Sequence, residues 1–396
     1  MTPVPAAGGE GPLVYLVAGE ASGDLIGQRL MLALRRRLGP VRFAGVGGAR
    51  MAAEGLDSLF PLGELSLVGI GEVLPHIPKL LRRIRETAQE VQRRAPDLVL
   101  FIDASGFARG VARRLKRQGW RGPVVQYKAP QTWAYWPWRA RAMARDFDLV
   151  LCILPFEPAH LAHYGVTSAY IGHPALESGA GQGDAAAFRA RHGLAADTPL
   201  LMLLPGSRMN EVRRALPLYG QGLRRLEGVG PGLRVGGPTG ETGAERVAQG
   251  VRDWPGQPLV ITGQQERFDA MAAATAALCV TGTVTVELTL ARLPMVACYK
   301  VSWLTMLFAL AFVRIRYAAM VNLLLDREAV PEFLQYDARP ARMARALGAL
   351  LTDPDARARQ RADLALARAL LATPARAPPT ETAADLVVER LRLAGR

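Results

Sequence analysis

The sequence predicts an α/β protein of two domains, each a parallel β-sheet flanked by helices, the two facing each other across a cleft. Three observations carry that expectation. With 396 residues the chain is too long for one ordinary core and about right for two domains. Short apolar runs that end in Gly, Asp or Pro alternate with helix-period stretches in both halves, the pattern of strands crossing over through helices. Two beginnings of the same kind, Leu13 to Gly27 (LVYLVAGEASGDLIG) and Leu200 to Arg214 (LLMLLPGSRMNEVRR), each read as strand, glycine turn and helix.

Taken in order, Leu13 to Val17 reads as a buried strand. A helix follows over about Leu25 to Arg37, with Ile26, Leu30, Leu34 and Leu38 near helical spacing. The next strand, Val41 to Val46, ends in Gly47 and Gly48 without an acidic residue for a ribose. Gly19, Gly23 and Gly27 also miss the GxGxxG spacing, so a dinucleotide enzyme is disfavoured. Further strands are expected at Leu98 to Ile102, Val124 to Tyr127, Leu149 to Leu154 and Ser168 to Ile171. The glycine-rich Glu177 to Asp184 reads as a linker closed by Asp184 as a helix cap. Beyond it, strands are expected near Leu233 to Val235 and Leu259 to Thr262, a helix over Met271 to Ala277, and a strand over Ala277 to Val280. A helix then runs from Asp353 to about Leu371, and a last one, capped by Thr380, to about Leu391. The predicted division is 1–178, a linker at 179–184, 185–372, and a Pro-rich spacer with terminal helix at 373–396 that is free to pack outside its own domain.

The net charge of +14 predicts attraction to polyanions: nucleic acid, anionic lipid or phosphorylated small molecules. Lysine occurs only at Lys79, Lys116, Lys128 and Lys300; arginines spread along the rest. Cys152, Cys279 and Cys298 form no CxxC or Cys/His cluster and read as buried reduced thiols, which points to a reducing compartment and no metal site. The longest apolar run, Val301 to Val313, is short of the roughly 20 residues of a membrane span. The apolar Leu65 to Ile77, with Leu67, Val68, Ile70, Val73 and Leu74, precedes Lys79, Arg82, Arg83 and Arg85; apolar beside basic suits an anionic membrane surface.

The chemistry-bearing candidates lie at strand ends. Gly206, Ser207 and Arg208 combine a turn, a helix start, a hydroxyl and a guanidinium fork, which together suit a phosphate. Gly282 and Thr283 repeat the arrangement, and Glu287, within the helix they open, suits ribose hydroxyls. Asp103 ends the strand Leu98 to Ile102, where an open parallel sheet places its chemistry; it serves there either as a general base or as a helix cap. Trp133, Tyr135, Trp136 and Trp138 either floor a sugar or base pocket or pin a loop to the core. His173 either meets a phosphate or is structural.

In this order the motifs VAGEASGD, GVGGARMAAEGL, IDASGF, WAYWPWR, LPFE, IGHP, LPGSR, TGTVTVE and NLLLDREAVPEFLQ resemble those of the lipid-A-disaccharide synthases, collinearly from about Val14 to Gln335. The resemblance implies a GT-B architecture of two Rossmann-like domains and a hexosyltransferase needing no cofactor. It implies transfer of 2,3-diacylglucosamine from UDP to the 6-hydroxyl of 2,3-diacylglucosamine 1-phosphate with inversion. It further implies Asp103 as the base and Arg208 with its neighbouring N–H groups on the diphosphate. Glu287 takes the ribose, and Asn322, Glu332 and Gln335 lie near the donor. Glu20, Ser22, Gly23, Asp24, Trp133 and His173 are implied on the acceptor side. The implied partners are the two acylated sugars and the anionic inner-membrane surface, with the protein cytoplasmic and peripheral; a homodimer is left open.

The sequence departs from the family pattern at Ser105 and Gly106, where Pro-Asp is common, and at Lys128 and Gln131 in YKAPQTW, where YVSPSVW is common. Val321 likewise replaces a common proline. Another GT-B enzyme using UDP-N-acetylglucosamine, either a glycosyltransferase or a 2-epimerase, remains an alternative, as does an idle membrane-binding scaffold. No nucleic-acid-binding signature accompanies the basic charge.

Overall fold

The computed structural model describes residues 11–65, 76–206, 209–226, 234–238, 244–255, 258–301, 303–373 and 377–394. The chain divides into two compact units, Met1–Pro174 with Leu371–Arg396, and Ala175–Leu370.

The first unit is built on seven parallel strands: β1 (Leu13–Ala18), β2 (Arg42–Val46), β3 (Asp57–Ser58), β4 (Leu98–Ile102), β5 (Val124–Tyr127), β6 (Leu149–Cys152) and β7 (Ser168–Tyr170), ordered β3-β2-β1-β4-β5-β6-β7. Every residue of β1, β4, β5 and β6 is buried, because helices cover both faces of a parallel sheet. That explains the unbroken apolar runs LVYLVA and LVLFI. The strand order turns about β1 and β4, the reversal at which open α/β sheets bind ligands.

Helix Pro379–Ala394 belongs to this first unit. It buries Ala383, Ala384, Val387, Val388 and Leu391, and packs against helix Ala21–Leu38. At the margin, the Arg37 guanidinium donates to Asp385 Oδ1 at 2.6 Å and to Glu381 Oε2 at 2.6 Å. Tyr170 OH donates to the Leu371 carbonyl at 2.7 Å, tying the returning chain to β7.

The second unit has six parallel strands, β8 (Leu200–Leu204), β9 (Arg234–Pro238), β10 (Leu259–Ile261), β11 (Ala276–Cys279), β12 (Met295–Tyr299) and β13 (Glu332–Leu334), ordered β10-β9-β8-β11-β12-β13. It repeats the same switch about β8 and β11. Asp184 caps helix Ala185–Arg191 by accepting from the Ala187 N–H at 2.9 Å. The helix expected at Met271 to Ala277 lies instead at Gln264–Ala273, opened by Gly263 at φ 94°. Its first turn, QQER, is polar but rich in helix formers, and apolar spacing alone misses it.

The apolar run after Lys300 forms helix Trp303–Phe312. No helix among the described residues is long and apolar enough to cross a membrane. Cys152, Cys279 and Cys298 are free and buried.

Candidate active site

In the first sheet, Ile102 pairs with Tyr127 and Tyr127 with Leu151. The residues that follow β4, β5 and β6 therefore emerge side by side at the carboxyl edge. Asp103 at φ 62°, Ala104 at 43° and Lys128 at 69° all take the left-handed conformation. Each costs about 1–3 kcal/mol and persists only where the surroundings hold it.

Gln126 is one such support. Fully buried on β5, its Nε2 donates to the carbonyls of Asp103 at 3.2 Å, Tyr127 at 3.0 Å and Lys128 at 3.2 Å. It staples both turns. Gly19 is the second support: its N–H donates to the Ile102 carbonyl at 3.0 Å. A Cβ on Gly19 would stand 2.4 Å from the Ala104 Cβ, so the VAGE turn approaches the Asp103 turn only because residue 19 is glycine.

Between the turns, Lys128 Nζ lies 2.5 Å from Asp103 Oδ1, with the Asp103 side chain 11% exposed and that of Lys128 42%. The carboxylate is thus nearly buried and charge-paired, and the ammonium faces outward. An aspartate read from sequence as a base or a cap makes no side-chain cap here: helix Ser105–Arg117 begins at Ala104 with none.

Glu157, in the PFE turn after β6, lies within electrostatic reach of Lys128. Its Oε2 accepts from the N–H groups of Ile153 and Leu154 at 3.0 Å each, and its Oε1 from Trp133 Nε1 at 3.1 Å. Burial pushes its carboxyl up to about 7, against the lowering effect of those donors and of Lys128. Burial, and then Lys128, push His173 down to about 4, so its imidazole is neutral at pH 7. Trp133 also packs edge-on against Phe156 at 5.1 Å. It is an anchored residue.

The raised Glu157 carboxyl gives a signed pH effect. The fold favours its protonated form, so its contribution to stability is full below about pH 4.5, falls as pH rises, and is lost above about pH 7. The expected loss is on the order of 3 kcal/mol. In denaturant midpoints at pH 5 and pH 8, Glu157→Gln should lack this decline, apart from a constant offset for the lost Trp133 hydrogen bond.

The residues expected on the acceptor side before β2 differ in burial and bonding. Asp24 accepts from the N–H groups of Gly48 at 2.8 Å, Arg50 at 3.0 Å and Met51 at 3.1 Å. It caps helix Ala49–Ala53 and is nearly buried. Gly23 is buried in helix Ala21–Leu38; Ser22 is exposed, and Glu20 is the partly exposed N-cap residue, with no side-chain cap bond.

In the second unit Gly206, at φ 111°, forms the turn after β8, and a Cβ there would meet Glu211 Oε2 at 2.5 Å. Ser207 and Arg208 lie outside the described residues, as do Leu67, Val68, Ile70, Val73 and Leu74. Gly282, at φ 142°, precedes helix Thr283–Leu290, whose first residue, Thr283, is exposed. Glu287 pairs with Arg267 Nη2 at 2.9 Å, and burial raises its carboxyl although Arg267 opposes it.

Asn322 is fully buried, donating to the Val330 carbonyl at 2.8 Å and accepting from Ala329 and Val330 N–H at 2.8 and 2.9 Å. Glu332 accepts from Ala318 and Ala319 N–H, the latter at 2.7 Å. Gln335 Oε1 accepts from Val301 N–H at 3.3 Å. All three hold the chain around β13. Among the described residues no cluster of three or more His, Cys, Asp or Glu is arranged to hold a metal ion.

The fold is shared with solved sugar-nucleotide enzymes. A UDP-GlcNAc 2-epimerase from Neisseria meningitidis, solved with UDP-GlcNAc bound, superposes with a TM-score of 0.62 over 95% of this chain and 98% of its own, at 12% identity. The calicheamicin glycosyltransferase gives 0.57 over 96% and 98%, at 17% identity. The protein has the GT-B fold.

The family model for lipid-A-disaccharide synthetase matches residues 14–384. Lipid-A-disaccharide synthases of Rhodospirillum centenum and Paramagnetospirillum magneticum are 47% and 44% identical, over 88% and 96% of this chain and 87% and 98% of theirs. The chain belongs to the lipid-A-disaccharide synthetase family.

Proposed function

We propose that this chain transfers 2,3-diacylglucosamine from UDP to the 6-hydroxyl of 2,3-diacylglucosamine 1-phosphate, with Asp103 as the base. The observation that carries this reading is the Asp103 side chain itself, nearly buried and paired with Lys128 at the carboxyl edge of a switch-point sheet. As the 6-oxygen attacks C1 of the donor from the face opposite UDP, its proton passes to Asp103. The bond from C1 to the diphosphate oxygen breaks, and UDP leaves with the electron pair. The leaving charge needs donors. The turn of Gly206, Ser207 and Arg208, with Gly282 and Thr283, is the proposed donor of those N–H and guanidinium groups. Glu287 meets the ribose once it gives up part of its bond to Arg267.

A peripheral contact with an anionic membrane surface fits the acylated substrates. Helix Ile77–Arg94 exposes Ile77 and Leu81 beside Lys79, Arg82 and Arg85. Within the second unit, Trp303, Leu307 and Phe312 are exposed.

The test supplies purified protein with both acylated substrates in detergent, and in parallel with unacylated UDP-N-acetylglucosamine. UDP release coupled to disaccharide formation from the acylated pair alone is the expected result. Turnover of only the unacylated donor would transfer the chain to an epimerase or another glycosyltransferase.

A further inference from the structure

We infer that Lys128 is the residue that recognises the acceptor's phosphate, exchanging its ion pair with Asp103 for that phosphate and so uncovering the carboxylate oxygen that takes the proton. The inference rests on the proposed reaction, whose acceptor carries both groups.

Asp103 Oδ1 is the oxygen that Lys128 Nζ occupies at 2.5 Å. A carboxylate oxygen holding an ammonium so closely has its lone pairs directed at that ammonium. It is a poor receiver for an alcohol proton until the cation moves. Both backbones are fixed: Gln126 holds the carbonyls of residues 103 and 128, and the Lys128 N–H donates to the Leu151 carbonyl at 2.9 Å. The mobile part is the lysine side chain alone. It stands 42% exposed against 11% for its partner, on four methylenes and with three donors, only one of which the observed pair requires.

What would draw the ammonium away is a stronger anion presented at the same edge. Its neighbours there do not compete: the Glu157 oxygens are already held by Ile153, Leu154 and Trp133, and His173 is neutral. On the acceptor, C1 and C5 flank the ring oxygen, so the 1-phosphate and the 6-hydroxyl project from the same end of one sugar. A hydroxyl placed on Asp103 therefore brings a phosphate, with more charge than the carboxylate, within the swing of Lys128. The phosphate-for-carboxylate exchange makes readiness of the base depend on the correct acceptor. Acceptors lacking the phosphate leave the carboxylate covered.

The experiment compares wild type with Lys128→Met, Lys128→Gln and Lys128→Arg on two acceptors, 2,3-diacylglucosamine 1-phosphate and 2,3-diacylglucosamine without the phosphate. UDP-2,3-diacylglucosamine is saturating, and UDP affinity and melting temperature report folding. Wild type should prefer the phosphorylated acceptor in kcat/KM. Both neutral variants should lose about tenfold or more of that preference, through a higher KM for the phosphorylated acceptor and a higher kcat on the unphosphorylated one, whose base is no longer covered, and arginine should keep most of it. A preference unchanged in a folded neutral variant would overturn the inference while leaving the transfer reaction standing. Absence of disaccharide from wild type with either acceptor would overturn the underlying reaction and this inference with it.

Discussion

Replacing Asp103 with asparagine should lower kcat for disaccharide formation by about a thousandfold, within the span that loss of a positioned general base produces. UDP affinity should stay within about twofold. The reason is placement: Asp103 lies at the end of β4 in the first unit, whereas the proposed diphosphate contacts lie in the second. The backbone that carries residue 103 is held by main-chain and Gln126 bonds that the substitution leaves intact. Single-turnover product formation against UDP titration reads the two effects separately. A variant that turns over at more than a tenth of the wild-type rate would remove Asp103 from the role of base.

The second large effect is expected from a residue with no functional group at all. Gly19→Ala places a methyl 2.4 Å from the Ala104 Cβ and 2.8 Å from its backbone nitrogen. Neither atom can turn aside as a flexible side chain would, so the β4 turn must shift, and Asp103 with it. A displacement of about 1 Å at a reacting group costs about a hundredfold in rate. The measurement is kcat alongside thermal unfolding. A fall in kcat with a change in melting temperature of only a few degrees marks misplacement of Asp103, and wild-type kcat in Gly19→Ala would show that the two turns are not coupled.

The central strands, such as β1, β4, β5 and β8, were readable because parallel strands buried on both faces appear as unbroken apolar runs with polar residues at their ends. Asp103 stood out for that reason. The short β13, EFL, offers no such run, and the hydrogen bonds that Asn322, Glu332 and Gln335 make to backbone groups around it could not be read from sequence. Asp24 shows the same limit: what it caps lies at residues 48–51, a pairing that no local spacing reveals. Gln126 looked like one polar position in VVQY, and Lys128 like a departure from a family pattern. Their meaning depends on β4 and β5 being neighbours in register. Glu157 was visible only as part of PFE, and its raised carboxyl follows from a burial that sequence does not measure.

The first unit draws on two distant stretches, and this fixes an order of completion during synthesis. Residues through Pro174 emerge from the ribosome with helix Ala21–Leu38 still lacking Ala383, Val387 and Leu391 on its apolar side. At about 5–20 residues per second, roughly 10 to 40 s pass before Pro379 is made. The second unit, contiguous from Ala175 to Leu370, has all its strands in hand before the first is whole. The domain bearing the proposed base is thus begun first and closed last, and a nascent chain interrupted anywhere before Pro379 leaves helix Ala21–Leu38 without its C-terminal cover.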